Sequence, residues 1–421
     1  MVIELSQLMG AVDRVRDIVA DSKNENISVL MKCDKANGKV LIAFADGHKA
    51  VCSEIEANYD AEEVVEEELV ASFKQVSEAI DIIKPSGIVC VDDVSITMDT
   101  EKKQINFAAE KYINVAEDEN AEEATRQTIS VMSRTFAYIR MEDDKRQRIL
   151  KCVDYASMLT IGTAESEEEA AKVDNWNRTE FINTLVKMTT EDAMVIISGK
   201  SKNVRVANTS YAVSIPREDI KVSLCLPTKT AKYVMAVLRH CGSDTIDIKV
   251  DENSAIVCSD DAKVAMWFET AKPLSRVINI LNAYAANTYD SHQLVVIRDA
   301  IVNQIKCLGD DATNVEFTFE GDSVEGYTMN IGGGNSTTKT SKFNLALSGV
   351  SGDCNELLGR KFTTNCDTLK NMLALCDTNF VGLEFGTQDN VWVLRVCEIS
   401  KSAGVVERFT ECYTMTTMSA K

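Results

Sequence analysis

Residues able to do chemistry are thinly spread in this chain. There are three histidines, His48, His240 and His292, and no two are close enough in sequence to suggest a metal pair. The thirteen cysteines sit singly, with no C-x-x-C pair among them. Protein zinc sites use closely spaced thiolate and imidazole ligands, so no metal is expected. Cys90, Cys225 and Cys397 fall at inward positions of apolar runs, where a free thiol behaves as a small hydrophobe. An odd cysteine count without metal spacing suggests a reducing compartment. The run Gly332-Gly333-Gly334-Asn335-Ser336-Thr337-Thr338-Lys339 lacks the order G-x-x-x-x-G-K-S/T and opens no helix. It reads as a flexible loop between strands. Asp92-Asp93 reads as a turn, where carboxylates commonly bond the backbone. There is no nucleophile elbow and no G-x-G-x-x-G after a strand. No catalytic residue and no cofactor is read from the chain, and a non-enzyme is expected.

Along the elements that carry these side chains, one pattern recurs six times. An amphipathic helix is followed by two or three strands with period-two alternation. The predicted helices cover 5–20, 73–84, 178–190, 229–241, 294–308 and 365–376. Helix 229–241 puts Ala231, Val234, Leu238 and Cys241 on one face and Lys229, Lys232 and Arg239 on the other. Pro227 and Gly242 flank it as start and stop signals. A repeated scaffold without a repeated reactive residue points to architecture rather than catalysis. The fold class expected is α+β, with paired helix-plus-antiparallel-sheet repeats making each domain.

At 421 residues the chain has room for several domains. Three are expected: 1–120, 121–272 with an enlarged first unit, and 273–421 with a C-terminal tail. An acidic stretch at 117–123 and then Pro273 mark the breaks, and a further acidic stretch at 61–68 is a hinge inside the first domain. Residues 121–176 read as an insertion. It contains a strand-like run at 128–132, a charged helix-like run at 142–151 and acidic residues at Glu165, Glu167, Glu168 and Glu169. The formal net charge of −20 argues against ordinary electrostatic binding of nucleic acid, which needs a basic footprint. The distribution is uneven, however. The six predicted helices hold twelve Lys and Arg against seven Asp and Glu, so positive charge gathers on the repeated helices of an acidic chain. No signal peptide and no membrane span is expected.

Several segments resemble the bacterial β-type DNA polymerase sliding clamp. Residues 224–238, reading LCLPTKTAKYVMAVL, are similar to the family's strand–proline–helix unit in the middle domain. Residues 263–268, KVAMWF, resemble the strand that closes that domain, and 413–418, YTMTTM, its C-terminal strand and tail. Pro273, Arg276 and Val277 match a proline, arginine and valine that line a peptide pocket in the family. Asp46-Gly47-His48-Lys49 resembles a D-G-H-R element that the family carries in its middle domain. Here the corresponding middle-domain residues are Asn208-Thr209-Ser210-Tyr211. A divergent clamp, such as a virus-encoded one, fits these departures.

That resemblance implies a crescent of three clamp domains that closes with a second copy into a homodimeric ring. Its helices would face duplex DNA without reading sequence, through Arg14, Arg16, Lys74, Arg178, Lys187, Lys229, Lys232, Arg239, Lys306, Lys361 and Lys370. A DNA polymerase would dock a short peptide at Tyr211, Pro273, Arg276, Val277, Met415 and Met418. An ATP-dependent clamp loader would open the ring, and the location implied is a bacterial or infected-cell cytoplasm. Two rivals come from the residues themselves. One is a structural or virion protein of tandem α+β repeats. The other is a metal-dependent enzyme built on scattered carboxylates such as Asp92, Asp93 and Asp143.

Overall fold

The computed structural model describes residues 1–19, 27–45, 48–61, 65–116, 124–140, 173–186, 193–208, 211–260, 263–272, 275–286, 292–309, 312–322, 326–334, 341–346, 349–352, 357–388, 391–402 and 405–420. The helix-like run at 142–151, the acidic patch at 165–169, Asp143, Lys187 and Pro273 lie outside them.

Along the described chain one motif appears six times: a strand, a helix, then three strands. The first copy is β1 (Val2–Glu4), α1 (Leu5–Val19), β2 (Ser28–Asp34), β3 (Lys39–Ala45) and β4 (Lys49–Glu56). The second is β5 (Glu68–Ser72), α2 (Phe73–Ile83), β6 (Asp93–Asp99), β7 (Gln104–Ala116) and β8 (Ala124–Arg140). The third is β9 (Val173–Asn177), α3 (Arg178–Val186), β10 (Met194–Ser198), β11 (Asn203–Ala207) and β12 (Tyr211–Pro216). The fourth is β13 (Ser223–Pro227), α4 (Thr228–Arg239), β14 (Thr245–Val250), β15 (Ser254–Ser259) and β16 (Val264–Glu269). Helix α5 (Ser275–Ala286) stands outside the motif. The fifth copy is β17 (His292–Ile297), α6 (Arg298–Cys307), β18 (Asn314–Asp322), β19 (Gly326–Gly334) and β20 (Ser341–Ala346), followed by the short β21 (Gly349–Gly352). The sixth is β22 (Arg360–Asn365), α7 (Cys366–Ala374), β23 (Phe380–Gln388), β24 (Val391–Ser402) and β25 (Val405–Ala420).

The helices form where apolar residues recur every three or four positions. In α2 these are Phe73, Val76, Ala79, Ile80 and Ile83, all buried. Helix α4 buries Ala231, Val234 and Leu238 and exposes Lys229, Lys232 and Arg239, as its periodicity predicts. Asn365 caps α7 by accepting the Thr368 N–H at 2.9 Å.

Leading strands are exchanged between neighbouring copies. β1 pairs with β6 of the second copy, while β5 pairs back with β2 of the first. β9 pairs with β14 and β13 with β10. β17 pairs with β23 and β22 with β18. Neither member of a pair completes its sheet without its sibling. Every pairing between these strands is antiparallel.

By contacts the chain forms two compact units, residues 1–186 with 229–270, and residues 187–228 with 271–421. In the first unit β4 pairs with β16, joining the eight strands β1-β6-β7-β8-β5-β2-β3-β4 to the four strands β16-β15-β14-β9 in one sheet. A row of apolar residues crosses that junction on one face: Val70, Leu30, Ala43, Cys52, Ala265 and Cys258, one per strand. In the second unit β12 pairs with β25. There Met194, Ala207, Ala212 and Tyr413 make the equivalent row, covered by Leu281 and Tyr284 of α5. The Tyr284 and Tyr413 rings stack with centroids 6.0 Å apart.

Four readings change. The stretch 294–297 is the end of strand β17, and the helix starts at Arg298. Leu-Val-Val-Ile is apolar on every residue, so it fits a buried strand better than a helix stripe. Gly332-Gly333-Gly334 belongs to β19, paired with Glu316, Val315 and Asn314 of β18, rather than to a loop. Residues 128–132 lie inside β8, which forms a hairpin with β7 and completes the second copy instead of opening an insertion. Helix α5 replaces a reading of 273 onward as a simple break.

Candidate functional site

Two features of the described surface could carry a function: the outer faces of the repeat helices and a cleft beside the C-terminal strand.

The helices differ sharply in charge. Arg14 of α1 is buried at 7% exposure. Its Nε donates to Ser53 Oγ at 3.0 Å and its Nη1 to the His240 carbonyl at 2.6 Å, so it ties α1 to the end of α4. Burial pushes this guanidinium's pKa down, opposed by Cys241, Asp260 and Asp13. Arg16 is an ion pair with Asp13 at 3.2 Å and reaches Asp81 of α2 at 3.8 Å. Arg178, the first residue of α3, donates to the carbonyls of Leu238 and Cys241 at the end of α4. Arg298, first in α6, does the same for the Cys376 carbonyl beyond α7. Arg14, Arg178 and Arg298 therefore satisfy helix-end carbonyls and are structural ties. Lys361 lies on β22, not a helix, and pairs with Glu316 at 3.0 Å. Lys370 stands 3.9 Å from Asp367. Lys74 and Lys306 are exposed, but α2 also carries Glu78 and Asp81, and α6 carries Asp299. Helix α4 alone among the described helices pairs several exposed cations, Lys229, Lys232 and Arg239, with no acidic residue of its own.

The cleft opens where β25 changes partner. Thr416 pairs with Trp392 of β24, whereas the next residue, Thr417, pairs with Thr363 of β22. Between the diverging strands lies a space of about 680 Å³, lined by Asn314, Thr363, Thr364, Asn365, Val391, Trp392, Met415, Thr416, Thr417 and Met418. Met415 is 56% exposed, Val391 49% and Met418 37%. Thr416 Oγ1 donates to the Thr363 carbonyl at 2.8 Å, which holds the fork together. Phe362 packs edge-on to Trp392 at 5.2 Å. The lining carries no charged side chain. Flexible thioethers beside an indole and hydroxyl groups suit the apolar side chains of an extended peptide.

Met415 and Met418 thus line one cleft together. Tyr211 does not reach its lining; it is 5% exposed on β12, opposite Thr414 of β25. Arg276 and Val277 lie in α5. Sequence reasoning missed Trp392, Val391 and the stretch 363–365. An aromatic opening a strand and an N-capping asparagine were the available signals. Among the described residues, no group of three or more His, Cys, Asp or Glu could hold a metal. Asp92 accepts from Tyr112 Oη at 2.5 Å and from Arg126 at 2.9 Å, which commits both of its oxygens. No helix among the described residues is long and apolar enough to cross a membrane.

Against solved structures, the chain matches DNA polymerase III β subunits and sliding clamps over nearly its whole length. A Caulobacter crescentus pol III β is 12% identical, with 99% of each chain covered and a TM-score of 0.66. A Pseudomonas aeruginosa DNA polymerase sliding clamp gives 8%, 99% of each chain and 0.64. The Thermotoga maritima DNA polymerase III β subunit gives 11%, 99% of this chain, 98% of that one and 0.63. No protein-family model and no curated protein matches the sequence. The chain has the α+β fold of the β-type sliding clamps, in a sequence far diverged from theirs.

Proposed function

We propose that this protein is a DNA polymerase processivity factor, a non-enzymatic sliding clamp. The observation that carries the reading is the sixfold strand–helix–three-strand motif within a clamp fold, with no repeated reactive residue. Grouping the copies by their exchanged leading strands gives three domains per chain. Two chains close head to tail into a ring around duplex DNA. The edges offered for closure are those of β8, whose second edge pairs with another described strand only at 138–140, and of β20, which pairs among the described strands with β19 alone. The ring binds without sequence preference, through phosphate contacts, and slides because those contacts are few and screened.

Tethering then does the work. A polymerase that docks a short apolar peptide in the Met415–Met418 cleft is held near its template, so rebinding becomes a local event. An ATP-driven loader opens the ring, and the setting is a cytoplasm, bacterial or of an infected cell.

The test is retention on DNA. The protein loaded on nicked circular DNA should stay bound, and be released when a restriction cut makes the circle linear. Equal loss from circular and linear DNA, or filaments instead of closed rings in negative-stain images, would refute the clamp and favour a structural repeat protein.

A further inference from the structure

We infer that phosphate contact is concentrated on one helix per chain, α4, so that duplex DNA leans against this helix instead of being touched alike by all six repeat helices. The inference rests on the clamp reading. It goes beyond it by naming which surface meets the nucleic acid.

Three observations lead there. First, Lys229, Lys232 and Arg239 are exposed, and none forms an ion pair with an acidic side chain among the described residues. At 100° per residue they fall within one third of the helix circumference, and they span ten residue steps, about 15 Å. Phosphates of one strand follow each other about every 3.4 Å along the duplex axis, so each cation can meet a different phosphate of the same strand. Second, the end of α4 is prepared for an anion. A helix C-terminus carries partial negative charge on its last carbonyls. Here the carbonyls of Leu238, His240 and Cys241 are taken by the guanidinium groups of Arg14 and Arg178. These guanidinium groups offset the partial negative charge of that helix end, where Asp260 also stands near Arg14 and Cys241.

Third, on the other helices most described cations are paired internally, and the exposed Lys74 and Lys306 stand singly on helices that also carry acidic residues. Arg16 is shared among Asp13, Asp81 and Ser77. Arg298 bonds the Cys376 carbonyl and lies 3.2 Å from Asp299. Lys370 faces Asp367. In a chain of net charge −20, a strip of three exposed cations without acidic residues on its own helix is a local attraction for a polyanion.

The experiment measures binding of duplex DNA by anisotropy across a salt series, with the intact protein. The triple variant Lys229→Ala, Lys232→Ala, Arg239→Ala should lower the slope of log K against log salt by about 2.7, from the loss of three phosphate contacts. A second triple, Lys74→Ala, Lys306→Ala, Lys370→Ala, should leave the slope unchanged. The charge-conserving triple Lys229→Arg, Lys232→Arg, Arg239→Lys should retain the parent slope. An unchanged slope in the first variant, an equal fall in the second, or no measurable binding by the parent would overturn the inference. Retention on circular DNA reports separately on the clamp, so an evenly contacting clamp and a protein that is no clamp give different results.

Discussion

Arg178 and Arg298 occupy the same place in two of the three pairs of copies, the first position of the leading helix. Each reaches the carbonyls ending the sibling helix. Sequence alone presents such residues as cations on a helix, ready for phosphate. Only the fold reveals that strand exchange carries the start of one helix to the end of another. Replacing Arg178 with Met leaves the Leu238 and Cys241 carbonyls without their donor. It should cost about 1–3 kcal/mol, read as a lower urea midpoint, with little effect on DNA binding. A loss of DNA binding at unchanged stability would restore Arg178 to the phosphate-facing set. Tyr284 gives a second prediction. Burial pushes its phenol up to about 12 from an ordinary 10.0. Because the folded state holds this proton more tightly, the stabilisation is complete below pH 10 and is lost as pH rises toward 12. Tyr284→Phe should flatten the stability loss over that alkaline window, measured by denaturant midpoints at successive pH values.

Among the elements, four helices were legible almost to the residue, and a fifth from its start at Arg178, its read end at 190 lying outside the described residues, because an apolar stripe every three or four positions has one simple solution. Leu294 to Ile297 was not. Four successive apolar residues lack the polar positions of a helix stripe, and pairing with β23 makes them strand, with Leu294, Val295 and Val296 buried and Ile297 exposed. Helix α5 escaped notice because it breaks the sixfold pattern that organised the rest. Its role, covering a sheet face with Leu281 and Tyr284, depends on a strand more than a hundred residues later. The cleft was legible only at Met415 and Met418, since its other walls come from β22 and β24. Backbone crowding was invisible too. A Cβ at Gly199, between β10 and β11, would lie 2.2 Å from the Lys221 carbonyl oxygen. Gly199→Ala should therefore destabilise the second unit, seen as a lower melting temperature, by displacing the backbone at Lys221 rather than by altering any exposed surface.

For the whole molecule, the long second edge of β8 is the proposed ring contact. Val131 is 68% exposed and Ile129 53%, on a strand whose second edge pairs with another described strand only at 138–140. Val131→Lys should shift the protein from dimer to monomer in sedimentation velocity; an unchanged sedimentation coefficient would move the ring contact elsewhere. The pairing of β12 with β25 has a consequence for synthesis. Tyr211 to Ser214 bond to Thr414 down to Glu411, within the last strand described. On the ribosome that stretch must wait, unsatisfied along one side, for about two hundred further residues to be made. A nascent chain stalled before residue 411 would present a bare hydrogen-bonding rim, making late translational arrest a specific hazard for chaperone capture and mispairing.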